Sequence, residues 1–345
     1  MFETGVTWRS PELEINDIGF LRSTDEITHF AWAGYRFNKP FSIFRRIGIN
    51  YNHWQSWNFD GQHTFAGWNV NGNTTFKNNS NLGTGFNFIP FELSSKALRG
   101  GPMLRDVKRL NNWFYFSTDD RKKVRLYVNA WHQWALNSPT RNKNYSVELT
   151  YRPMNTLEIS LGPSLSINKN DLQYVSNIEF DNKVRYVNAK IDQKTVDLTL
   201  RLNYTINPNL TVQYYGSPFI SRGRYSEFKA VDDPMNKEYH ERYTAYTPEQ
   251  VSFDSADDTY FFDEDEDNNT DFTLSNPDFN FMQFRSNLVM RWEYIPGSEI
   301  YLVWSQGNTN GGDPMDRLFP SLRDNLFSEK AHNIFLVKYT YRFMK

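Results

Sequence analysis

Between residues 196 and 206 the chain alternates strictly. Val196, Leu198, Leu200, Leu202, Tyr204 and Ile206 occupy one set of positions, and Asp197, Thr199, Arg201, Asn203 and Thr205 occupy the other. Successive side chains of a strand point to opposite faces, so such a segment has one apolar and one polar face. The same two-residue period runs through residues 124–131, 145–152 and 157–168. It returns near the end, where Phe335, Val337, Tyr339, Tyr341 and Phe343 interleave with Leu336, Lys338, Thr340 and Arg342. Helix periodicity competes in none of these windows. Each apolar set is about five residues long, as in a strand of roughly 9–11 residues crossing a bilayer at a tilt. The pattern predicts an all-β chain: a transmembrane antiparallel up-and-down barrel of about 14 strands, within roughly 12–16.

The connections sort into two classes that alternate along the chain. Tight ones fall at residues 38–40, 78–80, 119–122, 153–155, 207–209 and 296–297, all rich in turn formers. Longer ones fall at 57–62, 94–107, 137–143, 221–280 and 307–331. Residues 155–206 keep this parity when read as one extended hairpin turning at Asp181-Asn-Lys183 and projecting past the membrane. Short periplasmic turns and long extracellular loops are what a barrel in an outer membrane requires. The expected organisation is a single barrel domain over 1–345, with 220–280 as its long extracellular loop.

Composition agrees without deciding. Aromatics are 17% of 345 residues while mean hydropathy is −0.68, as expected when only every second strand residue meets lipid. A large secreted β-protein would show the same. No run of about 18 apolar residues exists, so no helix spans a membrane. A net charge of −2 gives no electrostatic case for nucleic acid. The absence of cysteine excludes disulfides and thiolate metal sites. Residues 1–20 lack a basic start followed by an apolar stretch, so the chain is expected to be a mature form or to lack its natural N-terminus.

Three stretches, residues 208–228 (PNLTVQYYGSPFISRGRYSEF), 276–297 (NPDFNFMQFRSNLVMRWEYIPG) and 300–306 (IYLVWSQ), carry a resemblance together with the closing strand. They resemble an uncharacterised family of Bacteroidota outer-membrane proteins, and residues 16–22 (NDIGFLR) resemble the segment that opens its barrel. Members of that family usually carry a carbohydrate-binding module of family-nine type ahead of the barrel. No such module precedes residue 1, so the resemblance implies the fold and the outer membrane of a Gram-negative bacterium but not sugar binding. It implies no reaction.

Charged residues on the polar sets are expected to face the lumen: Arg125, Glu148, Arg152, Glu158, Asp197, Arg201, Arg285, Arg291, Glu293, Lys338 and Arg342. They either pair across a narrow interior or line a solute path. Tyr339, Tyr341 and Phe343 form the closing-strand signal that barrel-assembly machinery reads in other outer-membrane proteins. Asp263, Asp265, Asp267 and Asp271 hold relative positions 1, 3, 5 and 9 of a calcium loop, with Asn268 where glycine is usual and Leu274 where a bidentate Glu is usual. Hard oxygen ligands suit Ca²⁺, and a solvated acidic loop is the alternative. The aromatic run Trp54-Gln-Ser-Trp-Asn-Phe59 reads as part of an interfacial girdle or as a sugar-stacking platform. Six scattered histidines, and the lack of a nucleophile elbow, zinc-protease or phosphate-loop motif, argue against an enzyme. Asn308-Thr-Asn-Gly-Gly312 has the glycines of a phosphate cradle without its helix. No cofactor is required. The leading expectation is a surface anchor or scaffold in an envelope complex, in contact with outer-membrane lipid and with envelope proteins or surface glycans. A porin-like channel for small solutes or glycan fragments is second, and a membrane-embedded enzyme third.

Overall fold

The computed structural model describes residues 1–17, 19, 21 and 23–343. Ile18, Phe20 and Arg22 of the opening segment, and Met344 and Lys345, lie outside the described residues. The architecture is all-β with one short helix. The strands in chain order are β1 (Phe2–Arg9), β2 (Glu26–Phe37), β3 (Phe44–Trp57), β4 (His63–Phe76), β5 (Asn81–Ser94), β6 (Leu104–Arg105), β7 (Arg109–Ser117), β8 (Val124–Ala135), β9 (Arg141–Met154), β10 (Leu157–Phe180), β11 (Lys183–Asn207) and β12 (Leu210–Val231). They continue with β13 (Tyr243–Ala245), β14 (Val251–Asp254), β15 (Thr259–Phe262), β16 (Phe272–Ser275), β17 (Phe279–Ile295), β18 (Ser298–Gly311) and β19 (His332–Thr340). Helix α1 (Leu318–Asn325) lies between the last two strands.

One antiparallel sheet takes almost all of them, in the order β1-β2-β3-β4-β5-β7-β8-β9-β10-β11-β12-β17-β18-β19, with β6 and β13 paired at its margin. Strands β14–β16 form a separate small sheet. The expected closure is not formed among the described residues: β1 pairs with β2 and β19 with β18, which leaves two free edges. Two strand ends also pass the sequence-based limits. β12 stays paired with β11 and β13 through residues 230–231, and β18 stays paired with β17 up to Gly311. Loop-like residues there, such as Arg222, Gly223, Asn308 and Asn310, are held in the ladder because the partner strand is equally long.

The period-two pattern sorts the two faces. Along β17–β18–β19, Leu288, Trp304 and Phe335 share one face, and Arg291, Tyr301 and Lys338 share the other. Away from the long-loop end the apolar face is not covered by protein: Phe335 is 75% exposed and Val337 is 70% exposed, and Val70, Phe86, Leu149 and Leu302 are exposed too. Buried apolar clusters sit at the long-loop end instead. Val187, Ala189 and Phe228 of the main sheet pack on Phe262 and Phe272 of the small sheet. Ile220 and Met282 pack beneath Leu326. β10 leaves β9 at Lys169 and stays paired with β11 as far as Phe180. That overhang is roughly 37 Å along the strand at ~3.4 Å per residue.

Glycines on the polar face make room for rings. A Cβ on Gly85 would lie 2.9 Å from the Trp113 ring, and Gly83 sits in the same way under Tyr115. Trp113 and Tyr115 therefore lie stacked over the sheet, with centroids 5.9 Å apart. Flat rings over glycines cover the polar face of the sheet without crowding its backbone.

Candidate functional site

The polar face of β2–β7 carries a continuous chain of amides. Trp32 Nε1 donates to Asn50 Oδ1 (3.2 Å), and Asn50 Nδ2 donates to Asn71 Oδ1 (2.9 Å). Asn71 and Asn52 both donate to Asn69, which passes its own N–H to Asn87, and Asn87 in turn donates to Asn111. An amide donates and accepts at once, so such a ladder satisfies itself without bringing charge. The sequence reading missed it, although the alternation Asn50-Tyr-Asn52 and Asn69-Val-Asn71 shows it once amides are counted like apolar residues.

The predicted charged residues lie on β8–β11 and β17, on β19 and just after it, and most have partners. Glu158 accepts from Arg125 (2.6 Å) and from Arg152. Arg291 bonds Glu299 through Nε (2.8 Å) and Glu293 through Nη2 (3.3 Å). Lys338 Nζ lies 5.6 Å from the Tyr301 ring centre, and Arg201 lies 4.8 Å from that of Tyr215. Asp197 accepts from Ser164 Oγ. Glu148 faces a recess of about 190 Å³ beside Arg125. Arg285 lies over Gly307 and Arg342 over Gly297. Two clusters therefore form, Arg125–Glu158–Arg152 and Arg291–Glu293–Glu299, while Asp197, Arg201 and Arg285 stand apart from them.

At the long-loop end a cavity of about 800 Å³ opens between the polar face of β2–β5 and the segments before β2 and after β5. Trp54 and Phe65 supply the rings of its apolar lining beside Leu13, Leu93 and Met103, and Glu14, Asp25, Glu26 and Glu92 bring carboxylates to it. Glu26 is bonded by Arg9 (2.9 Å), and Glu92 is bonded by Arg109. The aromatic run is thus divided by strand parity. Trp54 lines the cavity, whereas Trp57 turns to the apolar face and packs on His63, with centroids 5.4 Å apart.

The apolar face carries rings at both ends. Near the long loops, Phe88, Trp68 and His53 stack across three strands, at 5.9 and 5.3 Å. Near the short turns lie Tyr35 with Phe37 (4.7 Å) and Tyr294 with Tyr339 (5.8 Å). Tyr294 also donates its hydroxyl hydrogen to Tyr339 Oη (2.7 Å), and Tyr341 meets Phe343 at 4.8 Å.

Of the four acidic-loop residues, three converge. Asp263, Asp265 and Asp267 each place a carboxylate oxygen within 4.8 Å of the others. Asp263 also accepts the backbone N–H groups of Asp267 (3.2 Å) and Asn268 (2.8 Å), and Asn268 takes the left-handed conformation (φ 69°). Asp271 is engaged elsewhere, accepting the Glu264 N–H at 2.6 Å. Leu274, at the twelfth position, is paired with Tyr260 inside β16. Partial desolvation and the neighbouring Asp267 charge push the Asp265 carboxyl up. A hard cation would relieve that repulsion.

Glu264 fastens the small sheet to β11. It accepts from Arg185 Nη2 (2.8 Å) and from the Tyr246 hydroxyl (2.8 Å). Burial pushes its carboxyl up, but Arg185 and Tyr246 together bring it net below its ordinary value of 4.5. A lowered carboxylate contributes stability above its unfolded pKa and loses it as pH falls through the folded value. Acidification from neutrality to below about pH 4.5 is thus expected to loosen β14–β16 first. Limited proteolysis across that range should show cleavage within 246–276, and Glu264→Gln should make cleavage nearly independent of pH.

A second network was not foreseen. Lys229, 3% exposed, donates to the Asp171 carbonyl (2.7 Å) and to its carboxylate (3.0 Å). Tyr239 donates to the other carboxylate oxygen (2.8 Å). Burial pushes the Tyr239 phenol far above its ordinary range, so it keeps the proton it donates. No sequence motif marks this trio, because long strands and a returning loop bring its members together.

No curated protein matches the chain. A family model described as a domain of unknown function (DUF5916) matches residues 1–344, and the chain belongs to that family.

Proposed function

We propose that the chain is an outer-membrane β-barrel acting as a surface anchor or scaffold. The observation that carries the membrane reading is the uncovered apolar face, bracketed at both ends by rings. A soluble sheet this large would bury such a face against a second layer, whereas lipid covers it without protein. Closure is supported by parity. β1 and β19 are the first and fourteenth strands on the path, so they run antiparallel and can join as an ordinary pair. The Gram-negative outer membrane, the barrel-assembly machinery and a Bacteroidota source follow from this reading and from the family resemblance.

Scaffold is favoured over pore because the polar face satisfies itself. Amides bond amides, and Arg125, Arg152, Arg201, Arg291 and Lys338 each meet a carboxylate or a ring. A selectivity lining would instead present unpaired charge of one sign. The overhang of β10–β12 and the sheet β14–β16 give a rigid platform for an envelope protein or a surface glycan. Purified protein reconstituted in a planar bilayer is expected to be silent, and steady single-channel current would replace the scaffold with a channel. The specific observation on the channel's side is the cavity at Trp54 and Phe65, where rings and carboxylates could receive a glycan fragment. No reaction is assigned.

The convergence of Asp263, Asp265 and Asp267 supports Ca²⁺ as a structural ligand of the outer loop. With no bidentate Glu, binding is expected in the weak range of about 10⁻⁴–10⁻³ M. Calorimetric titration should show one such site, abolished by Asp263→Asn with Asp265→Asn.

A further inference from the structure

The loop between β18 and β19 does not stand up from the sheet. It folds back over the apolar face, where Leu318, Leu322 and Leu326 pack on Ile220 and Met282. Amides that interrupt the apolar face at this height hold it there. Asn280 donates to Ser321 Oγ (3.0 Å), Asn308 to the Glu329 carbonyl (2.9 Å), and Asn310 to the Asn325 carbonyl (2.8 Å). The last of these joins the Ser328 N–H (3.2 Å) and hydroxyl (2.9 Å) on the carbonyl at the end of α1. With its inner side fixed, the segment still presents Met315, Phe319 and Phe327 outward, the latter two 68% and 59% exposed. Phe327 also meets Phe284 of the apolar face at 5.2 Å.

We propose that residues 312–331 form a collar seated in the headgroup layer, with Phe319 and Phe327 inserted at the lipid boundary. The inference rests on the membrane reading above and goes beyond it by naming what covers this patch. Depth supplies the argument. The short-turn ring cluster contains Trp292, which packs on Tyr294 at 6.1 Å. From Trp292 to Phe284 the strand rises roughly 27 Å at ~3.4 Å per residue, or about 20 Å along the normal at a tilt of ~40°, against an apolar band about 25 Å tall. The collar therefore starts within the last ~5 Å of that band and reaches from there to the lipid boundary. Segments lying in that layer turn Phe and Leu to the acyl side and keep polar residues toward water. Exposed Arg317, Arg323 and Lys330 on this segment are offset by exposed Asp313, Asp316, Asp324 and Glu329, so its rings rather than its charge favour this seat.

The chain has no cysteine, so a single introduced thiol is unique. Nitroxide labels at Phe319→Cys (collar), Val337→Cys (apolar face) and Ala256→Cys (exposed outer turn), each in the full-length protein in anionic lipid vesicles, would report collisions with oxygen and with a water-soluble nickel chelate. The 337 label should collide with oxygen and hardly at all with nickel, and the 256 label the reverse. The 319 label should fall between them, with nickel collisions several-fold below those at 256. A water-like 319 beside a lipid-like 337 overturns the collar and leaves the membrane reading standing. Protection of 319 from both reagents means that protein covers it, which also overturns the collar. A water-like 337 removes the membrane reading itself, and the collar falls with it.

Discussion

Replacing Lys229 by Met is expected to destabilise the outer platform by about 3–5 kcal/mol, the usual result of leaving one member of a buried pair without its counter-charge. Asp171 is only 5% exposed and accepts from Lys229 and Tyr239 at once. Its backbone N–H is taken by Thr140 Oγ1 (3.0 Å), so the carboxylate cannot swing out to water without breaking further bonds. The trio ties β10 and β12 to the segment that leads into β13, so its loss should free that segment first. Hydrogen exchange is the measurement: amides within residues 232–245 should lose protection by orders of magnitude, while those of β3–β5 keep theirs. Asp171→Leu combined with Lys229→Met should recover much of the loss, because replacing both charges leaves no orphan. Equal protection in the single variant and the parent would mean that the pair holds nothing together.

The legibility of this molecule followed strand parity. Wherever one face is wholly apolar, as in Val196–Ile206 or Phe335–Tyr339, two-residue alternation located the strand and its faces, because a slip of one residue would invert every side chain. Turn placement was equally readable: Asn207-Pro-Asn209 and Pro296-Gly297 each connect the strands expected to flank them. The expected closure is not formed among the described residues: whether β1 and β19 meet depends on shear and curvature, which no local pattern encodes. α1 was hidden because its eight residues include Pro320 and show no long amphipathic repeat, and it is held by packing on Ile220 and Met282 rather than by propensity. The acidic loop was half legible. The spacing of Asp263, Asp265 and Asp267 predicted their convergence, but Asp271 answers to a backbone N–H that only the folded loop brings near.

Deleting residues 341–345 is expected to abolish membrane insertion, the largest effect that any small change should have. Three interactions go with the described part of that segment. The Tyr341–Phe343 ring pair disappears, Ser298 Oγ loses the Arg342 N–H (3.0 Å), and Gly297 at the last short turn loses the cover of the Arg342 side chain. Tyr339 would remain, still bonded by Tyr294, so β19 could pair with β18 but would end without its aromatic terminus. If the chain inserts as a barrel, the strand that bears a free edge is the one that must be captured and closed, and an edge without its terminal rings presents unpaired backbone to water. Cell fractionation gives the readout: the truncated chain should vanish from the outer-membrane fraction and appear in aggregates or be degraded. Replacing the exposed β14–β15 turn residues 255–257 by glycine is the control and should leave membrane levels unchanged. Normal membrane levels of the 341–345 deletion would show that these rings are not part of what directs insertion. Loss in both variants would point to general misfolding, so only the contrast between the two supports a closing-strand signal at Tyr339, Tyr341 and Phe343.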